Sequence, residues 1–258
     1  MEINVSGLRV VVTAGAGGAG FGIAEGFSAG GARVAVCDVD EQALAAVREK
    51  HPDWIVMAAD VGDEADVDRF FDKVLGDFGG LDALVNNAGI AGPVKEPELE
   101  TPAEWDRTLG VNLRGPFLCA RRAIPAMKAA KKGAIINIAS TSARTGLPRR
   151  LPYVVSKAGV MSLTHNLARE LGGFGIRVNS ILPGAIRGER IQRVINAKSE
   201  ALGVSAADYE RDMLRFISMG VMVDPADLAA MAMFLASPAG RFVSGQQIGV
   251  CGDFQHEE

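Results

Sequence analysis

Three side chains in the second half of the chain have the types and spacing needed to move a proton to or from an alcohol oxygen. Ser140 ends an apolar run, Tyr153 follows thirteen residues later, and Lys157 comes four residues after the tyrosine. Residues four apart share one face of a helix, so the phenol and the ammonium are expected to project side by side. A free phenol has a pKa near 10, and an adjacent ammonium favours the phenolate. The spacing therefore predicts Tyr153 as acid/base for hydride transfer, with Ser140 holding the substrate oxygen.

A glycine-rich segment, Thr13–Gly22, follows the first apolar run and opens a helical pattern. Glycines permit a tight turn and let the backbone approach a pyrophosphate, which rests on the helix N-terminus. The second apolar run ends at Asp38, whose carboxylate can accept hydrogen bonds from both ribose hydroxyls of NAD and would repel the 2′-phosphate of NADP. The two features together predict NAD as the cofactor.

Polar residues also end the third and fourth apolar runs. Asp60 and Val61 are placed to meet an adenine, and Asn86–Gly89 carries two amides and a glycine that can bridge a cofactor and a neighbouring strand. Ordinary turn chemistry explains each of these segments when it is taken alone. Their positions at successive strand ends, where open α/β sheets bind ligands, favour a binding role.

Short apolar runs alternate with helical patterns along the whole chain, which predicts right-handed βαβ units. The fold class expected is α/β, a single doubly wound Rossmann domain over residues 1–258. Its sheet is expected to have seven strands, mostly parallel, with helices on both faces. The predicted strands are Leu8–Thr13, Arg33–Cys37, Trp54–Ala59, Ala83–Asn86, Ala134–Ser140, Arg177–Leu182 and Gln246–Val250. The predicted helices include Asp40–Lys50, Glu64–Phe78, Trp105–Lys131 and Tyr153–Leu171, with helix starts marked by Pro102, Pro152 and Pro225. A charged helical excursion near residues 187–223 is expected to cover the sheet and the substrate.

Composition excludes several other classes of protein. A net charge of −4 over 258 residues argues against a nucleic-acid partner. No apolar run is long enough to cross a bilayer, and no signal peptide is recognisable, so a cytoplasmic protein without a membrane partner is expected. The three cysteines and three histidines are widely spaced, which predicts neither a disulfide framework nor a metal site.

The motifs described above resemble those of the short-chain dehydrogenase/reductase family, in its branch of roughly 250 residues, and the resemblance covers essentially the whole chain. It implies that Ser140, Tyr153 and Lys157 form the catalytic set and that Asn112 is a structural and proton-relay residue. It also implies that Lys157 holds the nicotinamide ribose and that the backbone of Ile186 meets the carboxamide. The cofactor contacts that it implies are Ala14, Gly18, Gly20, Asp38, Asp60, Val61, Asn87, Ala88, Gly89, Tyr153, Lys157, Pro183, Gly184 and Ile186.

Three positions depart from the family pattern. Ala14 replaces the first glycine of the nucleotide loop, and since alanine fits most turn geometries other than a positive φ, the loop is expected to survive. Gly188 stands where a threonine often follows the Pro-Gly motif, which removes one carboxamide hydrogen bond. Cys251 replaces the usual aspartate, for which the sequence offers no physical reason.

Six arginines flank the expected substrate site, which is unusual in an acidic protein: Arg144, Arg149, Arg150, Arg187, Arg190 and Arg193. Guanidinium groups bind carboxylate, sulfonate or phosphate in a forked geometry, so a small anionic hydroxy or keto compound is one hypothesis for the substrate. Arg150 is the first candidate contact, with Arg144 and Arg190 as further candidates. The alternatives are a neutral alcohol, sugar or cyclic polyol, with the arginines facing water or forming ion pairs.

Rival functions differ in what they require of the chain. An NAD-sensing binding protein predicts a broken Ser–Tyr–Lys set, whereas all three residues are present. A nucleotide-sugar epimerase needs a longer chain, and enoyl reduction is usually associated with a wider Tyr–Lys spacing. Apolar residues on more than one side of the long helices lead us to expect a homo-oligomer, either a tetramer or a dimer.

Overall fold

Seven strands form one fully parallel sheet in the computed structural model, which describes residues 3–255. The strands are β1 (Arg9–Thr13), β2 (Arg33–Asp38), β3 (Ile55–Ala58), β4 (Ala83–Asn86), β5 (Gly133–Ile138), β6 (Ile176–Pro183) and β7 (Gln247–Val250). Their order is β3-β2-β1-β4-β5-β6-β7, so the connection reverses direction between β1 and β4 and leaves a crevice there. The expected Rossmann fold and its strands are confirmed to within two residues at each end. One consequence is that Ser140 lies just beyond β5, not at its last position.

Helices cover both faces of this sheet. They are α1 (Gly18–Ala29), α2 (Glu41–Lys50), α3 (Glu64–Phe78), α4 (Pro102–Leu109), α5 (Gly115–Ala130), α6 (Ser142–Thr145), α7 (Leu151–Leu171), α8 (Glu189–Leu202), α9 (Ala206–Leu214) and α10 (Pro225–Ala236). Proline occupies the first turn of α4, α7 and α10, as the sequence predicts. Within residues 3–255 no helix has the length and hydropathy needed to span a membrane.

Alternation within the strands divides the apolar core into two layers. Val10 and Val12 of β1 face a layer that includes α1, α2 and α10, whereas Val11 faces the layer of α3, α5 and α7. All three valines are fully buried, as expected for a parallel sheet whose strands are covered on both sides. This two-sided burial fixes the strand register, which in turn places the carboxyl ends of the strands along one edge.

The prediction of one continuous helix over Trp105–Lys131 is wrong. The chain forms α4, then one π-helical segment, Gly110–Arg114, and then α5. Apolar periodicity cannot distinguish a helix with an inserted turn from a regular one, because the residues on either side keep the same pattern. Single π-helical turns are rare and occur mainly at functional sites, and this one carries Asn112.

The excursion, residues 187–223, contains α8 and α9. At its base, where its two ends meet, backbone and side-chain contacts join the first and last residues. The amide of Arg187 donates to the carbonyl of Val223, and the amide of Val223 donates to Ala185. The Arg187 guanidinium lies 3.0 Å from the carboxylate of Asp224. We call residues 187–223 the lid, because its first helix, α8, starts directly after the carboxyl end of β6.

A buried carboxylate ties the three central strands together at the edge opposite to the lid. Asp82 precedes β4, and its oxygens lie 2.7 Å from Arg9 Nε and 2.8 Å from Lys132 Nζ. Burial raises the pKa of Asp82, but the hydrogen bonds from Arg9 and Lys132 outweigh this and hold the pKa at about 2.

Replacing Asp82 by asparagine is expected to lower the free energy of unfolding at pH 7 by about 2–3 kcal/mol, because two cations lose their shared partner. The folded-state pKa lies below the unfolded value, so the stabilisation is complete above about pH 4 and is lost as the pH falls towards 2. Urea unfolding at pH 7 and at pH 3 should therefore show a smaller difference between variant and wild type at pH 3. Asp77→Asn, which removes an exposed ion pair with Lys73, is the control and should cost less than about 0.5 kcal/mol.

Candidate active site

The glycine-rich loop is held to the neighbouring strand by two side chains. Thr13 Oγ1 accepts hydrogen bonds from the backbone amides of Asn87 and Ala88, each at 3.0 Å. Asn87 Nδ2 in turn donates to the carbonyls of Thr13, at 3.0 Å, and Ala14, at 3.2 Å. The sequence-predicted residues Asn87 and Ala88 therefore hold the loop at the crevice between β1 and β4, next to the space that a dinucleotide needs.

The loop accommodates alanine at position 14, but with a positive φ, the one backbone conformation that alanine was expected to avoid. Ala14 adopts a φ of +50°, the left-handed region that favours glycine. Gly20 is required because a Cβ there would collide with the Ala14 carbonyl and the Asn87 amide. Gly17 and Gly18, by contrast, face open space, so the backbone at the start of α1 offers a cradle into which a pyrophosphate fits.

Asp38 ends β2 beside this cradle. One carboxylate oxygen accepts a hydrogen bond from the Ala16 amide at 3.2 Å, and the other accepts one from the Val39 amide at 2.8 Å. These bonds fix the carboxylate beside the loop. Neither the loop Thr13–Gly22 nor the segment after Asp38 up to Asp40 carries a basic residue that could bind a 2′-phosphate.

Asp60 and Val61 also lie at the carboxyl edge of the sheet. Asp60 accepts a hydrogen bond from the Gly62 amide at 2.8 Å and forms an ion pair with Arg107, also at 2.8 Å. Val61 is buried, and its side chain fills the space beside Gly115. Both residues are therefore fixed at this edge by contacts with neighbouring segments of the chain.

Asn112 is completely buried and makes three side-chain hydrogen bonds. Its Oδ1 accepts from the Ile90 amide at 2.8 Å, while Nδ2 donates to the Ile90 carbonyl and to Ser156 Oγ, each at 3.0 Å. The π-helical segment turns this side chain inward, towards Lys157 and Gly89. A Cβ on Gly89 would lie 3.2 Å from Lys157 Nζ, a tight contact that would require the ammonium to shift by a few tenths of an ångström.

Lys157 is buried on α7, and its Nζ donates to the carbonyl of Ile138 at 2.8 Å. Burial lowers the pKa of Lys157 to about 8, and the nearby positive charge of Arg190 contributes in the same direction. The ammonium lies 6.0 Å from the centroid of the Tyr153 ring, on the same helical face as expected. Tyr153 itself is half-buried, so its ring is accessible to a ligand in the crevice.

Ser140 lies beyond β5 and pairs with a serine that the sequence analysis did not single out. The hydroxyls of Ser140 and Ser142 are 2.8 Å apart, and the Ser142 amide also reaches Ser140 Oγ at 3.3 Å. Both serines are buried. The structure thus brings Ser140 and Asn112 to the same edge of the sheet as Tyr153 and Lys157.

The segment after β6 presents free backbone groups to this site. Ile186 forms a parallel bridge with Val223 that uses the Ala185 carbonyl and the Arg187 amide. In such a ladder the amide and carbonyl of the central residue point to the opposite side, so those of Ile186 face away from Val223. Pro183 ends β6, and Gly184 packs against Cys251, where a Cβ would lie 3.0 Å from the cysteine Cβ. Gly188 adopts a φ of +147°, which a threonine would rarely adopt.

The six arginines divide into paired and unpaired groups. Arg144 donates to the Gln247 carbonyl of β7 at 2.6 Å, Arg149 pairs with Glu96 at 2.6 Å, and Arg187 pairs with Asp224. These three arginines are therefore occupied by contacts within the protein, as the alternative of a neutral substrate predicts. The side chains of Arg150, Arg190 and Arg193 have no ion pair or hydrogen bond within residues 3–255.

Arg150 is the arginine that the structure places at the reacting group. Its guanidinium carbon lies 5.4 Å from the centroid of the Tyr153 ring, and its Nε is buried without a partner among the described residues. Burial lowers the pKa of Arg150, as does the charge of Arg190. The charge of Arg190 thus acts on both Arg150 and Lys157, and none of these three cations has an acidic side chain within ion-pair distance in residues 3–255.

Sequence reasoning missed four residues that build the site: Thr13, Arg107, Ser142 and Ser156. Two of them had a signal in the sequence. Thr13 is a polar residue at the end of a buried strand, and Ser156 is a serine three residues after Tyr153. The ion pair of Arg107 with Asp60 links residues 47 apart and has no local signature.

Comparison with known proteins shows which family has this arrangement. A family model described as enoyl-(acyl carrier protein) reductase, a short-chain dehydrogenase/reductase model, matches residues 14–254. The chain belongs to the short-chain dehydrogenase/reductase family. Relatives of this family with similar sequences include D-threitol dehydrogenase of Mycolicibacterium smegmatis, 35% identical over 98% of this chain and 95% of that protein.

Two further members of the short-chain dehydrogenase/reductase family show the same full-length similarity. The 2,3-dihydroxy-2,3-dihydro-p-cumate dehydrogenase of Pseudomonas putida is 38% identical over 97% of this chain and 95% of that protein. The crystal structure of levodione reductase superposes with a TM-score of 0.87 at 30% identity, covering 97% of this chain and 98% of that one. The similarity thus extends over nearly the whole of this chain and of each of these relatives.

Proposed function

We propose that the protein is an NAD-dependent dehydrogenase/reductase that moves a hydride between nicotinamide and a secondary hydroxyl or carbonyl carbon. The observation that carries this proposal is the buried Lys157, held by the Ile138 carbonyl on the same face of α7 as Tyr153. An ammonium is costly to bury, and its position beside a phenol is chemically useful because it stabilises the phenolate. The intact set also argues against an NAD-sensing protein that has lost catalysis.

The chemistry of the site follows from these contacts. A bound nicotinamide supplies the hydride acceptor or donor. In the oxidation direction, Tyr153 accepts the hydroxyl proton of the substrate while the Ser140 hydroxyl donates to the substrate oxygen. Lys157 stabilises the phenolate electrostatically, and its own position depends on Ile138. Asn112 holds Ile90 and Ser156 in place beside the ammonium, where the proposed relay of protons to solvent begins.

NAD is the proposed cofactor because Asp38 stands at the expected ribose position without a neighbouring cation. Titration of the purified protein with NADH and NADPH by fluorescence tests this. Turnover is then measured with NAD and a panel of neutral alcohols, anionic alcohols and enoyl thioesters. Tight NADH binding with oxidation of secondary alcohols supports the proposal, whereas a preference for NADPH or turnover of enoyl compounds alone overturns it.

For the substrate, we propose a small anionic hydroxy or keto compound whose anionic group contacts Arg150. Support comes from the unpartnered, buried Nε of Arg150 beside Tyr153 and from the uncompensated charge of Arg190. The names of the relatives point in both directions, since p-cumate is a carboxylate whereas threitol and levodione are neutral. A neutral alcohol, sugar or cyclic polyol is therefore the alternative.

We also propose a homo-oligomer, a dimer or tetramer, because Phe117 of α5 and Val155 of α7 expose apolar side chains.

Replacing Arg150 by glutamine is expected to raise KM for an anionic alcohol by about 10- to 100-fold, the range for loss of one charge-assisted hydrogen-bonding pair. KM for a neutral alcohol should change less than threefold, because the variant keeps most of the side-chain volume. Steady-state kinetics with one substrate of each kind provides the measurement. Arg193→Gln, which removes an exposed and unpaired arginine of α8, is the control and should leave both KM values unchanged. Equal KM values for Arg150→Gln and wild type on the anionic alcohol contradict the anion hypothesis.

A further inference from the structure

The lid is attached to a second part of the chain that neither the family motifs nor the proposed function includes. Residues Cys251–Gln255 follow β7 and lie against the end of the lid, over residues 216–220; we call them the strap. Ile217 forms an antiparallel bridge with Phe254. The strap therefore contacts the lid about 35 residues away in sequence, a few residues before Val223 at the base of the lid.

Three backbone hydrogen bonds join the two segments. The amide of Gln255 donates to Phe216 at 2.6 Å, and the amides of Ser218 and Met219 donate to Asp253 and Gly252, each at 3.1 Å. A pair of side chains also bridges the lid and the strap. Ser218 Oγ donates to a carboxylate oxygen of Asp253 at 2.6 Å, and the other oxygen accepts from Gln255 Nε2 at 2.8 Å.

The strap also contacts the cofactor end of the sheet. Cys251 packs against Gly184, directly after β6, while the next residue, Gly252, packs against Ile217 of the lid. Ile217 is buried, and a Cβ on Gly252 would lie 2.9 Å from its side chain. The short segment Cys251–Gly252 therefore packs between Gly184, which follows β6, and Ile217 of the lid.

The backbone of the strap is held in an unusual conformation. Asp253 adopts a φ of +60°, directly after Gly252 at +62°. Aspartate tolerates the left-handed region better than most residues, but such a conformation persists only where surrounding contacts determine it. The contacts that do so here are those with Ser218, Met219 and Gln255.

We propose that Asp253 is a positioning residue for the substrate: through Ser218 it holds the lid closed over the active site and so sets the KM of the substrate. This inference rests on the proposed function, since it assumes that the lid covers the site of hydride transfer. The start of the lid is close enough for Arg190 to act electrostatically on Lys157 and Arg150, which places α8 at the mouth of that site. Within residues 3–255 the Asp253 carboxylate hydrogen-bonds with Ser218 and Gln255 and makes no hydrogen bond to Ser140, Tyr153 or Lys157.

The test compares variants that remove the bridge with variants that keep it. Ser218→Ala removes the donor, and Asp253→Gly removes the acceptor without placing alanine at a positive φ. Each is expected to raise the substrate KM about tenfold, the effect of losing one hydrogen bond to a charged group, with kcat changed less than twofold and NADH affinity unchanged. Ser218→Thr and Asp253→Asn retain a donor and an acceptor, and they should restore KM to within twofold of wild type.

The chain offers a matched control on the same lid. Ser205 Oγ donates to Asp208 at 2.6 Å, the same distance as in the bridge, but this pair caps α9 locally and does not reach the strap. Ser205→Ala should therefore leave KM unchanged. A KM effect of Ser205→Ala equal to that of Ser218→Ala would overturn the proposal, as would unchanged KM in both bridge variants.

A second measurement separates failure of this proposal from failure of the proposed function. Hydrogen exchange of the amides in residues 216–220 requires no substrate and reports on the attachment of the lid directly. Ser218→Ala and Asp253→Gly should speed exchange there by about tenfold, and Ser205→Ala should not. Absence of alcohol turnover in wild type would refute the proposed function. Unchanged exchange in both bridge variants would refute the role of the strap, whatever the enzyme acts on.

Discussion

Replacing Tyr153 by phenylalanine is expected to lower kcat by about 10³-fold or more while leaving NADH affinity within threefold of wild type. The variant keeps the ring that lies beside Arg150 and Lys157 and loses only the hydroxyl that carries the proton. General acid–base catalysis by a positioned side chain contributes typically 10²- to 10⁴-fold, and the structure shows no second phenol that could replace it in residues 3–255. Fluorescence titration with NADH and single-turnover kinetics measure the two quantities separately.

The chain contains a natural control for this experiment, because it has two tyrosines. Tyr209 lies on α9 of the lid, away from the Ser140–Lys157 set. Tyr209→Phe should retain wild-type kcat. If Tyr153→Phe kept more than a tenth of wild-type activity, Tyr153 would not be the acid/base, and the proposed mechanism would have to be abandoned.

Replacing Asp38 by asparagine is expected to reduce the preference for NADH over NADPH by about 100-fold, with roughly equal contributions from weaker NADH and stronger NADPH binding. Asparagine keeps the shape of the side chain and one acceptor oxygen, so it retains a hydrogen bond from either the Ala16 or the Val39 amide, which bond to different carboxylate oxygens. It removes the negative charge that strengthens the hydrogen bonds from the ribose hydroxyls and repels a 2′-phosphate. Fluorescence titration with both cofactors, at one fixed salt concentration, gives the ratio.

Glu41→Gln provides the control for general electrostatics in this experiment. Glu41 lies three residues away at the start of α2, and it is exposed and paired with Arg48. Its removal changes the net charge as Asp38→Asn does but leaves the ribose position untouched, so the cofactor ratio should shift by less than threefold. An equal shift in the two variants would show that Asp38 acts only through the overall charge and is not the residue that selects NAD.

Much of the fold and of the candidate site was predictable from the sequence, because the signals concerned are local. Burial on both faces produces continuous apolar strands, and a spacing of four places Tyr153 and Lys157 on one side of α7 whatever surrounds the helix. The glycine-rich loop and Asp38 could be located for the same reason, since each follows directly from the end of a strand.

The tertiary structure decided the features that depend on partners distant in sequence. Arg149 pairs with Glu96, 53 residues away, and Arg187 with Asp224, so which of the six arginines remain unpaired is set by the folded arrangement of charges. The π-helical turn at Asn112 and the positive φ of Ala14 are likewise local distortions. We attribute them to contacts across the sheet, with Ile90 and Ser156 in one case and with Asn87 in the other.

The sequence by itself therefore determined the sheet, its nucleotide loop and the Tyr153–Lys157 pair, because short-range periodicity and steric preference act within one element. Only the tertiary structure decided that Arg150 lies unpaired beside Tyr153 and that Asp253 holds the lid through Ser218. Both arrangements join elements that approach each other only after the chain has folded. The energy of such contacts depends on distance and burial in space, which no pattern along the chain encodes.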